Sequence, residues 1–237
     1  MSTTAGNTKK PDWLQRKELK FLMRNENIDV LRQVLRGTCR QVVHNQRVSI
    51  VRSVYFDDPH LSACQANLKG LANRQKLRFR WYDTMQPEGQ MFAEVKWRRN
   101  RITGKHRHEM KSASFPLRWN EWLRQAEEVV PEPIAAVMQF YREPIVLVEY
   151  KREHFQSSID GIRLTLDYDL VFYGQIGKSQ LSVKFGQRSH GTAVMEGKVP
   201  VGMESQLKQF IYPFAARVQR CSKYVLGCRS LGLVSGG

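Results

Sequence analysis

The stretch KLRFRWY at residues 76–82 and the stretch FAEVKWR at residues 92–98 alternate charged and bulky apolar side chains. Successive side chains of a β-strand point to opposite faces, so Lys76, Arg78 and Arg80 share one face and the apolar residues share the other. The pattern therefore predicts two strands, each with a charged face and an apolar face. The sequence PEG at residues 87–89 predicts a turn that joins them in a hairpin.

The same alternation recurs near residues 16–21, 150–152, 163–167 and 196–198. A single strand of this kind is typical of a sheet with one face in water. Because the pattern recurs so often, we favour strands that curl into a barrel with their charged faces inward. Such a channel would collect arginine and lysine side chains and suit a polyanion, together with a metal ion.

The composition indicates a folded protein with anionic partners. Hydrophobic residues make up 41% of the 237 residues, and 38 Lys and Arg against 22 Asp and Glu give a formal net charge of +16. We predict one domain at 13–230, with a disordered tail at 1–12 and a flexible tail at 231–237. The four cysteines have no zinc-ligand spacing, and no signal peptide precedes the domain, so we expect a reduced, cytoplasmic protein.

Periodicity and turn signals predict an α+β fold, an eight-stranded antiparallel β-barrel with flanking helices. The predicted strands cover residues 13–23, 49–56, 73–82, 91–98, 105–114, 145–155, 162–172 and 192–199. The predicted helices cover residues 25–36, 60–68, 117–129, 134–141 and most of 203–226.

Seven motifs follow one another in an order that we recognise. They are SVYFDD at 53–58, KxRxRxY at 76–82, ExK at 94–96, YxR at 150–152, RLTLD at 163–167, ExK at 196–198 and CSKYVLG at 221–227. In this order they resemble the polyphosphate polymerase domain of the vacuolar transporter chaperone (VTC) family, a branch of the triphosphate tunnel enzymes. The resemblance implies a tunnel fold, a nucleoside triphosphate held by basic side chains, a divalent metal, and transfer of the ATP γ-phosphate to polyphosphate.

Carried over position by position, the resemblance implies a set of site residues. The expected catalytic residues are Arg78, Arg80, Lys96 and Lys223. The expected phosphate-binding or nucleotide-binding residues are Lys20, Arg98, Arg107, Tyr150, Arg152, Arg163, Lys198, Arg220 and Ser222. The resemblance places the ligand of Mn²⁺ or Mg²⁺ at Glu196. Apart from the resemblance, Glu18, Glu94 and Asp167 are further candidates, because a carboxylate among the cations could help to hold the ion. The sequence departs from the family pattern at Arg98, where the better-known eukaryotic members carry histidine, and at Gly197, where an apolar residue is usual. The strand of Lys105 and Arg107 matches the family pattern in more than one register.

Three functions remain open at this stage. The first is an ATP-dependent polyphosphate polymerase, whose partners would be ATP, polyphosphate, pyrophosphate or phosphate, and a membrane protein that could recruit it. The second is a metal-dependent tripolyphosphatase or nucleoside triphosphatase, which would need more carboxylates to order an attacking water. The third is a binding module without turnover, for polyphosphate or for nucleic acid. Nucleic acid is disfavoured because the aromatic residues alternate opposite the cations.

Overall fold

The computed structural model describes residues 16–24, 28–100, 102–111, 118–159, 161–214 and 216–235. The strands in these ranges are β1 (Arg16–Arg24), β2 (Cys39–Val42), β3 (Ser49–Asp57), β4 (Asn73–Tyr82), β5 (Gln90–Arg99), β6 (Ile102–Lys111), β7 (Glu143–Ser157), β8 (Arg163–Gly174), β9 (Gln187–Arg188) and β10 (Thr192–Pro200). The α-helices are α1 (Ile28–Thr38), α2 (Ser62–Leu68), α3 (Trp119–Val129), α4 (Glu132–Met138), α5 (Glu204–Ile211) and α6 (Lys223–Ser230).

The strands form one curled antiparallel sheet in the order β1-β10-β8-β7-β3-β4-β5-β6, with β2 beside β7 and β9 beside β8. The predicted α+β fold with eight antiparallel strands is confirmed. The sheet is a half-barrel, because the described parts of β1 and β6 do not pair with each other. The free edge of β1 is instead covered by the C-terminal segment, where Val218 bridges Phe21 and the backbone N–H of Gln219 donates to the Lys20 carbonyl at 2.9 Å.

The apolar strand faces lie on the convex side of the sheet, where helices cover them. Phe79 and Trp81 of β4 are fully buried and pack with Trp122 of α3 in a core that also includes α4. A second core joins α1 and α5 to β1, β8 and β10. Gly197 belongs to this contact, because a Cβ there would come within 2.3 Å of Leu207 Cδ2. The departure from the family pattern at this position therefore lets α5 pack closely on β10.

A third core lies on the concave side, where α2 and α6 close one end of the half-barrel. A Cβ at Gly227 would come within 2.9 Å of Phe172 and 3.0 Å of Val146, so glycine allows α6 to lie tightly on β7 and β8. The carboxylate of Asp57 accepts hydrogen bonds from the hydroxyl of Tyr224 (2.7 Å) and from the first turn of α2. These contacts fix α6, so that its first residue, Lys223, faces the concave surface.

Some local predictions differ from the structure. The predicted helix over 203–226 is wrong in its middle part: after α5 and a 3-10 turn (Tyr212–Phe214), the described chain runs extended along β1 before α6 begins. The strands β2 and β9 were not predicted. The predicted tail at 1–12 lies outside the described residues. Of the predicted tail at 231–237, residues 231–235 are described, and there Leu233 bonds back to α6 while Val234 is buried.

Candidate functional site: a basic cavity on the concave face

The concave face of the sheet holds a cavity of about 490 Å³. Its cations come from every side of the half-barrel and from the C-terminal segment, because the charged phase of each alternating strand faces inward. The cationic residues that line it are Lys17, Lys20, Lys76, Arg78, Arg80, Lys96, Lys105, Arg152, Lys198 and Lys223. The acidic residues that line it are Glu18 and Glu196, and Tyr55, Tyr150, Cys221 and Ser222 add polar groups. Positive charge therefore dominates the cavity.

Two arginines of β4 are held by hydroxyl groups of β3 and β7. Arg78 donates from Nη1 to the Tyr55 hydroxyl at 3.0 Å. Arg80 donates to Ser53 Oγ at 3.0 Å and to the Tyr150 hydroxyl at 3.2 Å. Both guanidinium groups are thereby oriented before any ligand enters, and such planar groups can bind phosphate oxygens with two parallel hydrogen bonds.

Glu94 lies behind these arginines and is only 1% exposed. Its Oε2 accepts from Arg78 Nε at 2.7 Å, and its Oε1 accepts from Lys105 Nζ at 3.0 Å and lies 3.6 Å from Arg107. Burial alone would raise the pKa of Glu94, but Arg78, Arg80 and Lys105 outweigh it and hold the pKa well below its ordinary value. Both carboxylate oxygens of Glu94 contact cations, so Glu94 is the counter-ion of these arginines.

The opposite wall of the cavity carries a network of matched charges. Arg152 donates two hydrogen bonds of 2.6 Å to Asp167, and Lys223 lies 2.6 Å from the same carboxylate. Glu196 accepts from Lys20 and Lys223, each at 3.0 Å. Burial would raise the pKa of Glu196, but Lys20 and Lys223 hold it well below the ordinary value. On this wall Arg152, Lys20 and Lys223 each already have a carboxylate partner.

Glu18 spans the gap between the two edge regions of the sheet. Its Oε1 accepts from Lys96 of β5 at 3.0 Å and lies 3.1 Å from Lys20 Nζ. Glu18 and Glu196 thus face one point, at present occupied by the Lys20 ammonium. Two carboxylates with open space beside them fit a Mn²⁺ or Mg²⁺ ion that takes its remaining ligands from substrate phosphates and water. No cluster of three or more acidic, histidine or cysteine side chains suited to a metal occurs within the described ranges.

The β4–β5 wall, in contrast, sets like charges opposite each other. Lys76 pairs with Lys96 across the two strands, and Arg74 pairs with Arg98 one step nearer the strand ends. Like charges directly opposite destabilise a sheet, because their repulsion is not compensated. Lys76 Nζ donates to Ser222 Oγ at 3.0 Å. An anion bound along this wall would remove the repulsion.

Most of the predicted site residues lie together in the cavity. Those that line it are Glu18, Lys20, Arg78, Arg80, Lys96, Tyr150, Arg152, Glu196, Lys198, Ser222 and Lys223. Asp167 and Glu94 lie directly behind them as fully or almost fully buried partners.

Four other predicted residues lie outside the cavity lining. Arg163 is exposed on β8, paired across strands with Lys198, and Arg107 stacks its guanidinium over Phe92 at 3.7 Å. Arg107 still approaches the site through Glu94.

The other two, Arg98 and Arg220, lie towards the α2 end of the β4–β5 wall. Arg98 donates to the Asn100 carbonyl at 2.6 Å, and Arg220 packs on Gly70, where a Cβ would come within 2.3 Å of Arg220 Nη1. Burial lowers the pKa of Arg74, and the positive charges of Arg98 and Arg220 lower it further. These arginines therefore extend the positive wall beyond the cavity.

The cavity also contains residues that the site prediction left out. Lys76 shares its strand phase with Arg78 and Arg80, so the alternation itself carried the signal. Tyr55 lies within the quoted SVYFDD motif. Lys105 likewise shares its strand phase with the predicted Arg107. Lys17 had no comparable signal, because it has the opposite phase to Lys20 in β1.

The comparison with protein families agrees with this geometry. The family model of the VTC domain matches residues 15–232. The chain belongs to the VTC domain family. No curated protein matches the chain in a sequence search. Membership of the VTC family, together with the tunnel-like fold, supports a polyphosphate-related transferase function and is consistent with an enzyme. Within the described ranges, no helix is both long and apolar enough to cross a lipid bilayer.

Proposed function

We propose that this protein is an ATP-dependent polyphosphate polymerase, which transfers the γ-phosphate of ATP to a growing polyphosphate chain in the basic cavity. The observation that carries the proposal is the excess of cations over carboxylates there, with lysine facing lysine on the β4–β5 wall. A volume of about 490 Å³ falls within the usual range for small-molecule sites. Donor and acceptor are both polyanions, so this charge excess suits both substrates.

Phosphoryl transfer depends mainly on positioning and on neutralising charge in the transition state. In the proposed reaction Arg78 and Arg80 clamp the transferring phosphate, since their neighbours already hold both side chains in place. Lys96 and Lys223 neutralise charge on the flanking phosphates. A Mn²⁺ or Mg²⁺ ion held by Glu196 and Glu18 would polarise the phosphoryl oxygens when bound. The acceptor is itself an ionised phosphate oxygen, so no general base is needed.

Hydrolysis is the alternative, and the carboxylates of the cavity argue against it. A triphosphatase needs a group that orders and deprotonates water, and such a base works best with a pKa near the working pH. Lysine neighbours outweigh the effect of burial and hold the pKa values of Glu18 and Glu196 well below the ordinary range. Both would be weak bases, which supports transfer to a phosphate acceptor instead.

The test is a product assay on the purified protein with ATP and Mn²⁺ or Mg²⁺, with and without a short polyphosphate primer. We expect acid-insoluble polyphosphate to accumulate together with ADP. An Arg80→Ala variant prepared in parallel should form polymer about a hundredfold more slowly, which excludes a contaminating kinase. Stoichiometric orthophosphate without polymer would replace the proposal by the triphosphatase function, and ATP binding without any product would replace it by a binding module.

We further propose that the protein acts in the cytoplasm, where ATP is available. The four cysteines are all free thiols, as expected for a reducing compartment. A membrane-protein partner stays a prediction.

A further inference from the structure

Lys76 differs from the other lysines at the centre of the cavity in its partners. Lys20, Lys96 and Lys223 each have a carboxylate oxygen at 3.0 Å or closer. Lys76 has the Ser222 hydroxyl at 3.0 Å, and no carboxylate of the described residues forms an ion pair with it. Lys76 is mostly buried but stays partly open at the cavity wall, so a ligand in the cavity can reach it.

The charged groups around Lys76 are positive on nearly every side. They are Arg74 and Arg78 on β4, Lys96 and Lys105 on β5 and β6, Lys20 on β1 and Lys223 on α6. The acids of the cavity are Glu18 and Glu196, which are engaged by Lys20, Lys96 and Lys223. The thiols of Cys221 and Cys64 complete the surroundings.

These surroundings disfavour a charge on the Lys76 side chain. Burial lowers the pKa of Lys76 well below its ordinary value, and Lys96, Lys20, Arg78 and Arg74 lower it further. The hydrogen bond from Lys76 Nζ to Ser222 Oγ does not require a cation, because a neutral amine could make it. A lysine kept without a counter-ion breaks the usual rule for buried charge, and such exceptions are expected at functional sites.

We propose that Lys76 is the position where an entering phosphate group supplies the missing counter-ion, and that binding of the phosphate chain is coupled to uptake of one proton by Lys76 Nζ. The proton comes from solvent and adds to the amine lone pair, which gives an ammonium facing the phosphate oxygens. The inference rests on the proposed function for the identity of the ligand as a triphosphate. Affinity should therefore rise as the pH falls through the range in which free Lys76 is neutral and bound Lys76 is charged.

The test is titration calorimetry with ATP, without metal and with a chelator, at about pH 9 in buffers that differ in ionisation enthalpy. At this pH the terminal phosphate of ATP is fully ionised, since its second pKa lies near 6. A proton taken up on binding is therefore bound by the protein and not by ATP. For the wild-type protein we expect net proton uptake on ATP binding, of which Lys76 contributes at most one proton per ATP. Lys76→Arg keeps the charge at every pH, so it should still bind ATP while the uptake falls by that amount.

Two further variants complete the comparison. Lys76→Met should weaken ATP binding by roughly ten- to a hundredfold, the usual effect of losing a hydrogen bond to a charged group. Lys17→Arg is the matched control, because Lys17 lines the same cavity but pairs with Glu204. It should leave the proton count unchanged. ATP binding without proton uptake, or uptake that Lys76→Arg leaves unchanged, overturns the inference.

A second measurement needs no variant. Dilute formaldehyde with a mild reductant methylates unprotonated amines, and peptide mass spectrometry locates the products. At neutral pH Lys76 should react faster than Lys20, whose pKa Glu196 and Glu18 raise despite burial, and ATP should protect it. Equal rates would contradict the inference. Binding and turnover are separate readouts, so failure of the polymerase proposal would appear as missing polymer even when the Lys76-dependent proton uptake is observed.

Discussion

The replacement Glu94→Gln should destabilise the protein strongly and make its stability depend on added anions. Glu94 is 1% exposed and is the carboxylate that faces Arg78, Arg80, Lys105 and Arg107. Glutamine keeps the shape and can accept some of these hydrogen bonds, but it removes the negative charge. Arg78, which is held between Glu94 and Tyr55, would then be a largely buried cation without a counter-ion.

The magnitude follows from the cost of breaking a buried ion pair. Removing one partner of such a pair typically costs about 3–5 kcal/mol, because the other charge stays buried. For a domain of about 200 residues each kcal/mol shifts the melting temperature by about 2–4 °C, so we expect a drop of about 6–20 °C. Because the folded-state pKa of Glu94 is depressed, this contribution is complete above its unfolded pKa of about 4.3 and is lost as the pH falls below it.

Thermal unfolding at neutral pH, followed with and without tripolyphosphate, measures this effect. The matched control is Glu109→Gln in β6, because Glu109 is exposed and contacts Gln90 at 2.6 Å; its change should stay below about 1 kcal/mol. Tripolyphosphate should raise the melting temperature of Glu94→Gln more than that of the wild-type protein, since the anion supplies the lost counter-charge. If Glu94→Gln unfolds at the same temperature as Glu109→Gln, the counter-ion role of Glu94 is refuted.

Three other predictions concern the site and its surroundings. Glu196→Gln should remain folded, because Lys20 retains Glu18 and Lys223 retains Asp167 as ion-pair partners. Its turnover should fall at least about a hundredfold, while calorimetry should still detect ATP binding. Unchanged turnover would leave Glu196 as a structural ion-pair partner. Arg80→Ala should lower kcat by about two orders of magnitude, beyond its effect on KM, because a clamp on the transferring phosphate acts mainly in the transition state; a change in KM alone would contradict this. Burial and the nearby Arg152 lower the pKa of His154 from 6.5 to about 4. The unfolded protein therefore binds a proton at this residue more readily than the folded protein does. The free energy of unfolding should drop by at most about 3 kcal/mol as the pH falls from about 6.5 to 4. Denaturant unfolding should show a smaller drop for His154→Gln, and an equal drop in both proteins would count against this assignment.

The sequence predicted the parts of the structure that depend on local periodicity. The strand Asn73–Tyr82 was predicted with its observed bounds, and its charged phase faces the cavity, because alternation alone determines which side chains share a face. The extended path after α5 could not be predicted locally. Val218 and Gln219 run beside β1 because no other strand of the described residues lies along that edge, which is a tertiary effect.

Which charged side chains form ion pairs with one another could not be predicted from the sequence either. Glu94 and Glu196 both occur in an E-x-K pattern within a predicted strand, so nothing local distinguishes them. Their surroundings depend on the order of strands that are distant in sequence: β5 lies between β4 and β6, whereas β10 lies between β1 and β8. The missing counter-ion of Lys76 likewise follows from the register that sets it opposite Lys96.

The different surroundings of these two glutamates assign them different chemistry. Glu94 is enclosed by cations of its own wall, and a metal ion there would have to displace Arg78 and Lys105 together. Glu196 has a side chain that is 14% exposed, lines the cavity and shares the Lys20 ammonium with Glu18. A divalent ion that takes the place of this one ammonium would keep both carboxylates neutralised, at a point open to the substrate. The metal-binding role therefore belongs to Glu196 and Glu18 in our proposal, and Glu94 holds the arginines that meet the phosphate.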